Sequence, residues 1–346
     1  MRNASWDCGG SGGAAAYDSD EEDSEPRASS SEDAQDESSL NEHAATGDDD
    51  SWDREDFKRE IEGHLDAIGD GTFATSGALP ASINPGLDIL GLGRVGLPLS
   101  ERDAKSIIDL SHEAPFGKGS ETLVDETVRR TWEIDPGKIR FRNLRFPNLV
   151  QHAIGKCTEE LGVSGGQSTV HAVLHKLLLY EKGGFFKAHR DTEKAPNMFA
   201  TLIIMLPSEH EGGEVMVQHC NRKETLPITE PRKFGYPYLA WYADVEHSIV
   251  PVTSGYCLVL TYNLFHTSIH MGFIRPESVM DDHRANLNRA LSRWRHGIDY
   301  HGAKSNALIS ILQHQYSESN FGLSSLKGTD QLRAVYLQDV CKTHGN

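Results

Sequence analysis

His189 and Asp191 stand two apart in the segment YEKGGFFKAHRDTEK, and His247 follows in AWYADVEHSIVPV. Alternation along an extended strand turns residues two apart to one face, so an imidazole and a carboxylate can aim at a common point a few ångströms away. Two imidazoles and one carboxylate form a facial triad with open coordination positions, which suits an Fe(II) ion that must also bind a co-substrate and O2. A His-x-Asp pair by itself is weak evidence, because a polar strand face carrying a salt bridge has the same spelling. Its surroundings strengthen it. Gly183-Gly184 precede the pair, Glu211-Gly-Gly-Glu214 turns into a later strand, and Ser254-Gly255-Tyr256 opens the strand beyond His247.

In the order Tyr-x-x-Gly, His-x-Asp, Gly-Gly-Glu, His, residues Leu177 to Leu264 resemble the prolyl 4-hydroxylase-type branch of the 2-oxoglutarate/Fe(II) oxygenases. The resemblance implies a double-stranded β-helix, or jelly roll, with iron at His189, Asp191 and His247. It implies 2-oxoglutarate as co-substrate, with ascorbate as an accessory reductant, and hydroxylation of an unactivated C–H bond with release of succinate and CO2. A protein side chain is the favoured substrate, a prolyl residue among the candidates. In the family a Lys or Arg about ten residues beyond the distal histidine pairs with the remote carboxylate of 2-oxoglutarate. Here that position is Cys257. A thiol cannot make the charge-assisted, two-pronged contact of a guanidinium. Other residues offered for the co-substrate are Tyr180, at the Tyr-x-x-Gly position, Thr261 on the face of Cys257, Thr201 on a neighbouring strand, and Lys187 on the face of His189 and Asp191. The rival reading is a jelly-roll binding or scaffold module that has lost turnover through Cys257.

The elements that must position these residues follow from periodicity. Residues 1–52 form an acidic, Ser-rich tail that buries too little apolar surface to fold, and are expected to be disordered. Residues 53–165 read as a mixed helical lead-in. Phe57, Ile61 and Leu65 make one helical stripe ending near Gly69, residues 71–86 read as a linker, and Ser100 is an N-cap for a helix through Ile107, Ile108 and Leu110. Residues 166–268 form the jelly roll, with runs at His171–Glu181, Phe185–His189, Phe199–Leu206, Glu214–Gln218, Leu239–Tyr242, His247–Val252 and Tyr256–Leu264. Residues 269–346 are a helical extension, with Leu287, Leu291 and Trp294 on one face and further helices near 306–315 and 329–341. The fold class is therefore α+β.

Charge and cysteines exclude several classes. The formal net charge is −17, of which −13 lies in residues 1–50, so the body is nearly neutral and offers no basic surface for nucleic acid. No apolar run is long enough to span a membrane, and no secretory signal is visible. Five scattered cysteines without CxxC spacing fit a reducing intracellular setting, cytoplasm or nucleus, rather than secretion. Oligomeric state has no signature in the sequence. Gly91-Leu-Gly-Arg-Val-Gly96 spells a dinucleotide fingerprint, but Leu97-Pro98 follows where its helix should open. His171 and His175 lack the glutamate of a zinc-protease helix, and the pairs His210/His219 and His266/His270 read as packing or surface residues.

Overall fold

The computed structural model describes residues 54–66, 72–80, 83–118, 121–228, 235–267, 281–301 and 309–343. The acidic segment, and with it the expected disordered tail, lies outside them. The strands that build the site are, in chain order, β1 (Ala74–Leu79), β2 (His112–Glu113), β3 (Arg129–Arg130), β4 (Trp132–Ile134), β5 (Val170–Tyr180), β6 (Phe185–His189), β7 (Met198–Met205), β8 (Val215–His219), β9 (Arg222–Leu226), β10 (Tyr236–Tyr242), β11 (Glu246–Ile249) and β12 (Cys257–His266). They form a seven-stranded sheet, ordered β1-β10-β7-β12-β5-β4-β2, and a five-stranded sheet, ordered β9-β8-β11-β6-β3. Every pairing is antiparallel.

From β5 to β12 the chain passes back and forth between the two sheets. β5, β7, β10 and β12 lie in the larger one, and β6, β8, β9 and β11 in the smaller. This is the double-stranded β-helix expected from the motifs. The central strand β7 is buried along its whole length, and β12 along all but its last residue, which is why each reads as a largely apolar run. The turn into β8 uses Gly212 at φ +74°, where an added Cβ would come within 2.4 Å of the Pro251 carbonyl oxygen.

Residues 53–165 contribute more than helices. The expected linker 71–86 contains β1, an edge strand paired residue by residue with β10 from Ala74↔Trp241 to Leu79↔Tyr236. Its small residues carry no apolar alternation, so backbone pairing rather than side-chain pattern fixes it. β2, β3 and β4 also come from this region. Gly91 and Gly93 turn a short hairpin, Leu87–Ile89 with Gly93–Arg94, and not a phosphate loop.

Helix α1 (Arg54–Asp66) buries the stripe Phe57, Ile61 and Leu65. α2 (Glu101–Leu110) starts as expected, with the Ser100 hydroxyl accepting from the Asp103 amide at 3.1 Å. α3 (Phe146–Glu160) was not anticipated, although Phe146, Leu149, Val150, Ala153, Ile154 and Cys157 recur at helical spacing and are all buried. It packs on the larger sheet, where Tyr238 donates to Glu160 at 3.0 Å and Tyr242 to the Leu161 carbonyl at 2.8 Å. α4 (Asp281–His301) and α5 (Gly328–Thr343) close a second, small core with α1, built on Leu287, Ala290, Leu291, Tyr336 and Val340. The expected helix near 306–315 is absent from its described part, residues 309–315, which run irregularly. Their amides are used elsewhere: Gln313 and His314 donate to the Asp330 carboxylate at 2.8 and 2.9 Å. Among the described residues no helix is long and apolar enough to cross a membrane.

Candidate metal centre

β6 and β11 are neighbours in the smaller sheet, and their register sets His189 directly opposite His247. Directly opposed residues in an antiparallel pair hold their Cβ atoms roughly 5 Å apart. Accordingly the imidazole centroids are 4.1 Å apart. β6 ends at His189, and Asp191 lies just beyond it, still near enough to bring its Oδ1 within 3.8 Å of His247 Nε2. One ligand atom from each of the three lies within 4.8 Å of the others.

Backbone carbonyls fix both imidazoles. His189 Nδ1 lies 2.8 Å from the Lys187 carbonyl oxygen, and His247 Nδ1 lies 3.2 Å from that of Val245. A carbonyl only accepts, so in the neutral form of each ring Nδ1 carries the proton and Nε2 the lone pair, the tautomer a metal-ligating histidine requires. Burial first, and then the neighbouring His247, push the His189 pKa down to about 3, so the ring is neutral at neutral pH.

The larger sheet holds Asp191. Its Oδ2 accepts from Thr201 Oγ1 at 2.7 Å and from Trp241 Nε1 at 3.1 Å, two residues paired across β7 and β10. Burial alone would raise this carboxyl's pKa. His247, the Thr201 hydroxyl, His189 and the Trp241 indole outweigh it, and the group is held below the usual carboxylate range. Trp241 also tilts against His247 at 4.5 Å, and Phe186 stacks on His189 at 3.5 Å, so aromatic rings flank both imidazoles.

Of the residues proposed for the co-substrate, Tyr180 and Cys257 face each other across the β5–β12 pair, both buried. Thr201 is committed to Asp191, and Thr261 donates to the Lys176 carbonyl at 3.2 Å. The Lys187 side chain is exposed, and its part in the site is through the carbonyl that receives His189. Sequence reading missed Trp241, whose partnership with Asp191 depends on β7–β10 register, and Arg129, which β3 brings beside Phe186 of β6.

A second cluster has the same residue types. His219, Asp244 and His314 also offer ligand atoms within 4.8 Å of one another. Here the Asp244 carboxylate receives Lys327 Nζ at 2.9 Å, His314 Nδ1 at 3.0 Å and the Gln315 amide at 3.0 Å, while His219 Nε2 stands at 3.5 Å. A cleft lined by Lys156, Gly165, Gln167 and Gln331 lies apart, between α3 and α5, and shares no residue with either cluster.

No protein-family model and no curated protein sequence matches the chain. Among solved structures the chain is similar to a Pseudomonas putida prolyl-4-hydroxylase at 16% identity and TM-score 0.36, covering 60% of this chain and 100% of that one. It is also similar to a 2OG-Fe(II) oxygenase-family oxidoreductase from Burkholderia pseudomallei, at 13% identity and TM-score 0.30, covering 60% and 90%. A third is a Trichoplax adhaerens prolyl hydroxylase solved with a hypoxia inducible factor peptide, at 10% identity and TM-score 0.34, covering 62% and 93%. The strand pairing and the site geometry of this chain, not these overlaps, carry the fold and functional arguments.

Proposed function

We propose that the chain is an Fe(II)- and 2-oxoglutarate-dependent oxygenase that hydroxylates a C–H bond, with His189, Asp191 and His247 as the iron ligands. The observation that carries this reading is the pair of imidazoles each tied through Nδ1 to a backbone carbonyl, so that Nε2 is the nitrogen left to bind a metal, beside a carboxylate oriented by two neutral donors. The donor set fits the group: two neutral nitrogens and one anionic oxygen on a single side leave the other coordination positions to small ligands. When bound there, iron with 2-oxoglutarate and O2 would supply oxidative decarboxylation to succinate and CO2, coupled to hydroxylation.

The residues of the chain supply placement. Thr201 and Trp241 hold Asp191 through Oδ2 and leave Oδ1 toward His247. Phe186 and Trp241 shield the imidazoles from water, which strengthens the electrostatics of the site. The substrate we favour is a protein side chain, prolyl residues first, because the motif order is similar to that of the prolyl 4-hydroxylase branch. The test is succinate formation from 2-oxoglutarate by iron-loaded protein, with and without proline-containing peptides. Peptide-stimulated, O2-dependent succinate is the expected result. Tight 2-oxoglutarate binding without any succinate, across peptide, nucleoside and small-molecule panels, would overturn it in favour of the binding-module reading, for which Cys257 at the expected cation position speaks.

A further inference from the structure

A dicarboxylic co-substrate chelated at one end needs a partner for its other carboxylate, and β12 has no Lys or Arg to give. Cys257 sits there opposite Tyr180. A cation reaches the same place from the other sheet. β3 pairs with β6, setting Arg129 opposite Phe186, and the guanidinium lies 4.6 Å over the Phe186 ring. Phe186 in turn stacks on His189 at 3.5 Å, so Arg129 is one ring removed from a proposed iron ligand.

The polar groups around Arg129 lack acceptors. Arg129 Nη1 donates to the Pro115 carbonyl at 2.6 Å, but its Nε is buried without a hydrogen-bond partner, as is Thr131 Oγ1. Among the described residues no acidic side chain lies within ion-pair distance of Arg129. Burial raises the Tyr180 pKa, opposed first by the Arg129 charge and then by polar contact of the Thr131 hydroxyl and the Arg129 guanidinium with that phenol, which brings the three side chains to one place. A buried guanidinium edge and hydroxyl left unsatisfied are costly unless a ligand supplies the acceptor. Competing cations are engaged or remote. Lys176 is held by Glu133 and Asp135, Arg130 lies 4.0 Å from Glu181, and the Lys187 side chain is exposed.

We propose that Arg129, with the hydroxyls of Tyr180 and Thr131, binds the remote carboxylate of 2-oxoglutarate in place of the β12 cation that Cys257 replaces. This rests on the oxygenase reading of the triad. A purely structural Arg129, packed on Phe186 and tied to Pro115, would affect stability but could not tell one 2-oxo acid from another.

The test titrates the Fe(II)-loaded full chain, without oxygen, with 2-oxoglutarate and with 2-oxopentanoate, the same five-carbon 2-oxo acid carrying a methyl group instead of the remote carboxylate. Wild type should prefer 2-oxoglutarate by about ten- to a hundredfold, the range of a charge-assisted contact. Arg129→Met should erase that preference by weakening 2-oxoglutarate alone, with iron content unchanged, and Cys257→Arg added to it should bring the preference back. Where Arg129→Met fails to fold, Arg129→Lys serves: a smaller loss confined to 2-oxoglutarate supports the anchor, and equal weakening of both acids makes Arg129 structural. A wild-type preference that persists in Arg129→Met overturns the anchor and leaves the oxygenase reading standing. Absence of binding by either acid to iron-loaded wild type overturns that reading as well.

Discussion

Two clusters of His, Asp and His, each with its ligand atoms within 4.8 Å of one another, differ in what holds the carboxylate. Asp191 is held on one oxygen by two neutral donors, Thr201 and Trp241, and its other oxygen stays turned toward His247. Asp244 is held on both: a buried ammonium on Oδ1, and an imidazole and an amide on Oδ2. Burial would raise the Asp244 pKa, but His219, His314 and Lys327 hold it well below the ordinary carboxylate range. A divalent ion at Asp244 would meet Lys327 at contact distance, whereas the first cluster presents one negative charge and two imidazole Nε2 atoms with no cationic side chain on the carboxylate. Residue type does not distinguish a ligand set from a closed ion network. Remaining charge and lone pairs do.

The sharpest way to break this contrast is to remove each cluster in turn and count iron. His189→Ala, Asp191→Ala and His247→Ala should each abolish stoichiometric Fe(II) binding, while His219→Ala and His314→Ala should keep one equivalent. Metal analysis after anaerobic loading decides it, and iron lost from the second set would reverse the assignment. Next in size is Asp244→Asn, which leaves Lys327 buried beside a neutral amide. The uncompensated charge should cost about 3–5 kcal/mol in denaturant unfolding. Lys327→Met removes the cation while His314 and the Gln315 amide still serve Asp244, so its loss should be smaller, and the reverse order would contradict a closed network.

What was legible in the sequence and what was not divides along similar lines. The runs Phe199–Leu206 and Tyr256–Leu264 announced themselves because strands buried on both faces are largely apolar, and the His-x-Asp pair because its ligands are neighbours in the chain. The second cluster joins β8, the turn after β10 and a segment near α5, so no local spacing could reveal it. β1 hides in a stretch that reads as a linker because residues 71–86 are rich in Gly, Ser, Ala and Pro. Its Gly77 is where an added Cβ would lie 2.7 Å from the Tyr238 ring, a constraint seen once β10 is in place. A helix was expected near 306–315, but its described amides serve Asp330 and Asp244 instead of a helical ladder. Arg129 escaped for the same reason as Trp241, since each acquires its place from a strand neighbour remote in sequence.

A gentler probe asks whether neutral donors matter to the first cluster. Thr201→Val keeps the shape of the side chain but removes the 2.7 Å hydrogen bond to Asp191. Removal of a group that orients a metal ligand characteristically weakens affinity about ten- to a hundredfold without abolishing it. Competition of Fe(II) against a chelator of known affinity would measure the change. An unaltered affinity would show that Trp241 suffices to orient the carboxylate.

The smallest expected effect lies at His266. Its ring stacks on Phe199 at 4.1 Å, and burial first, with Lys327 second, pushes its pKa down to about 4. In the unfolded chain the same imidazole titrates near its ordinary value of 6.5. Between those two values the unfolded chain binds more protons than the folded one, so stability rises with pH there. It is fully present above about 6.5 and is lost as pH falls toward about 4. His314, whose pKa is also lowered by burial, acts in the same sense. Metal-free protein should therefore melt a few degrees lower at pH 5 than at pH 7, a shift of the size that a fraction of one proton produces in a domain this large. His266→Gln cannot titrate and should flatten the dependence, leaving the remainder to His189, His175, His314 and the carboxylates. Melting curves of both proteins in chelator, from pH 7.5 to 4.5, test it. Parallel curves would mean that His266 protonates as readily folded as unfolded, and that the charge of Lys327 is spent wholly on Asp244.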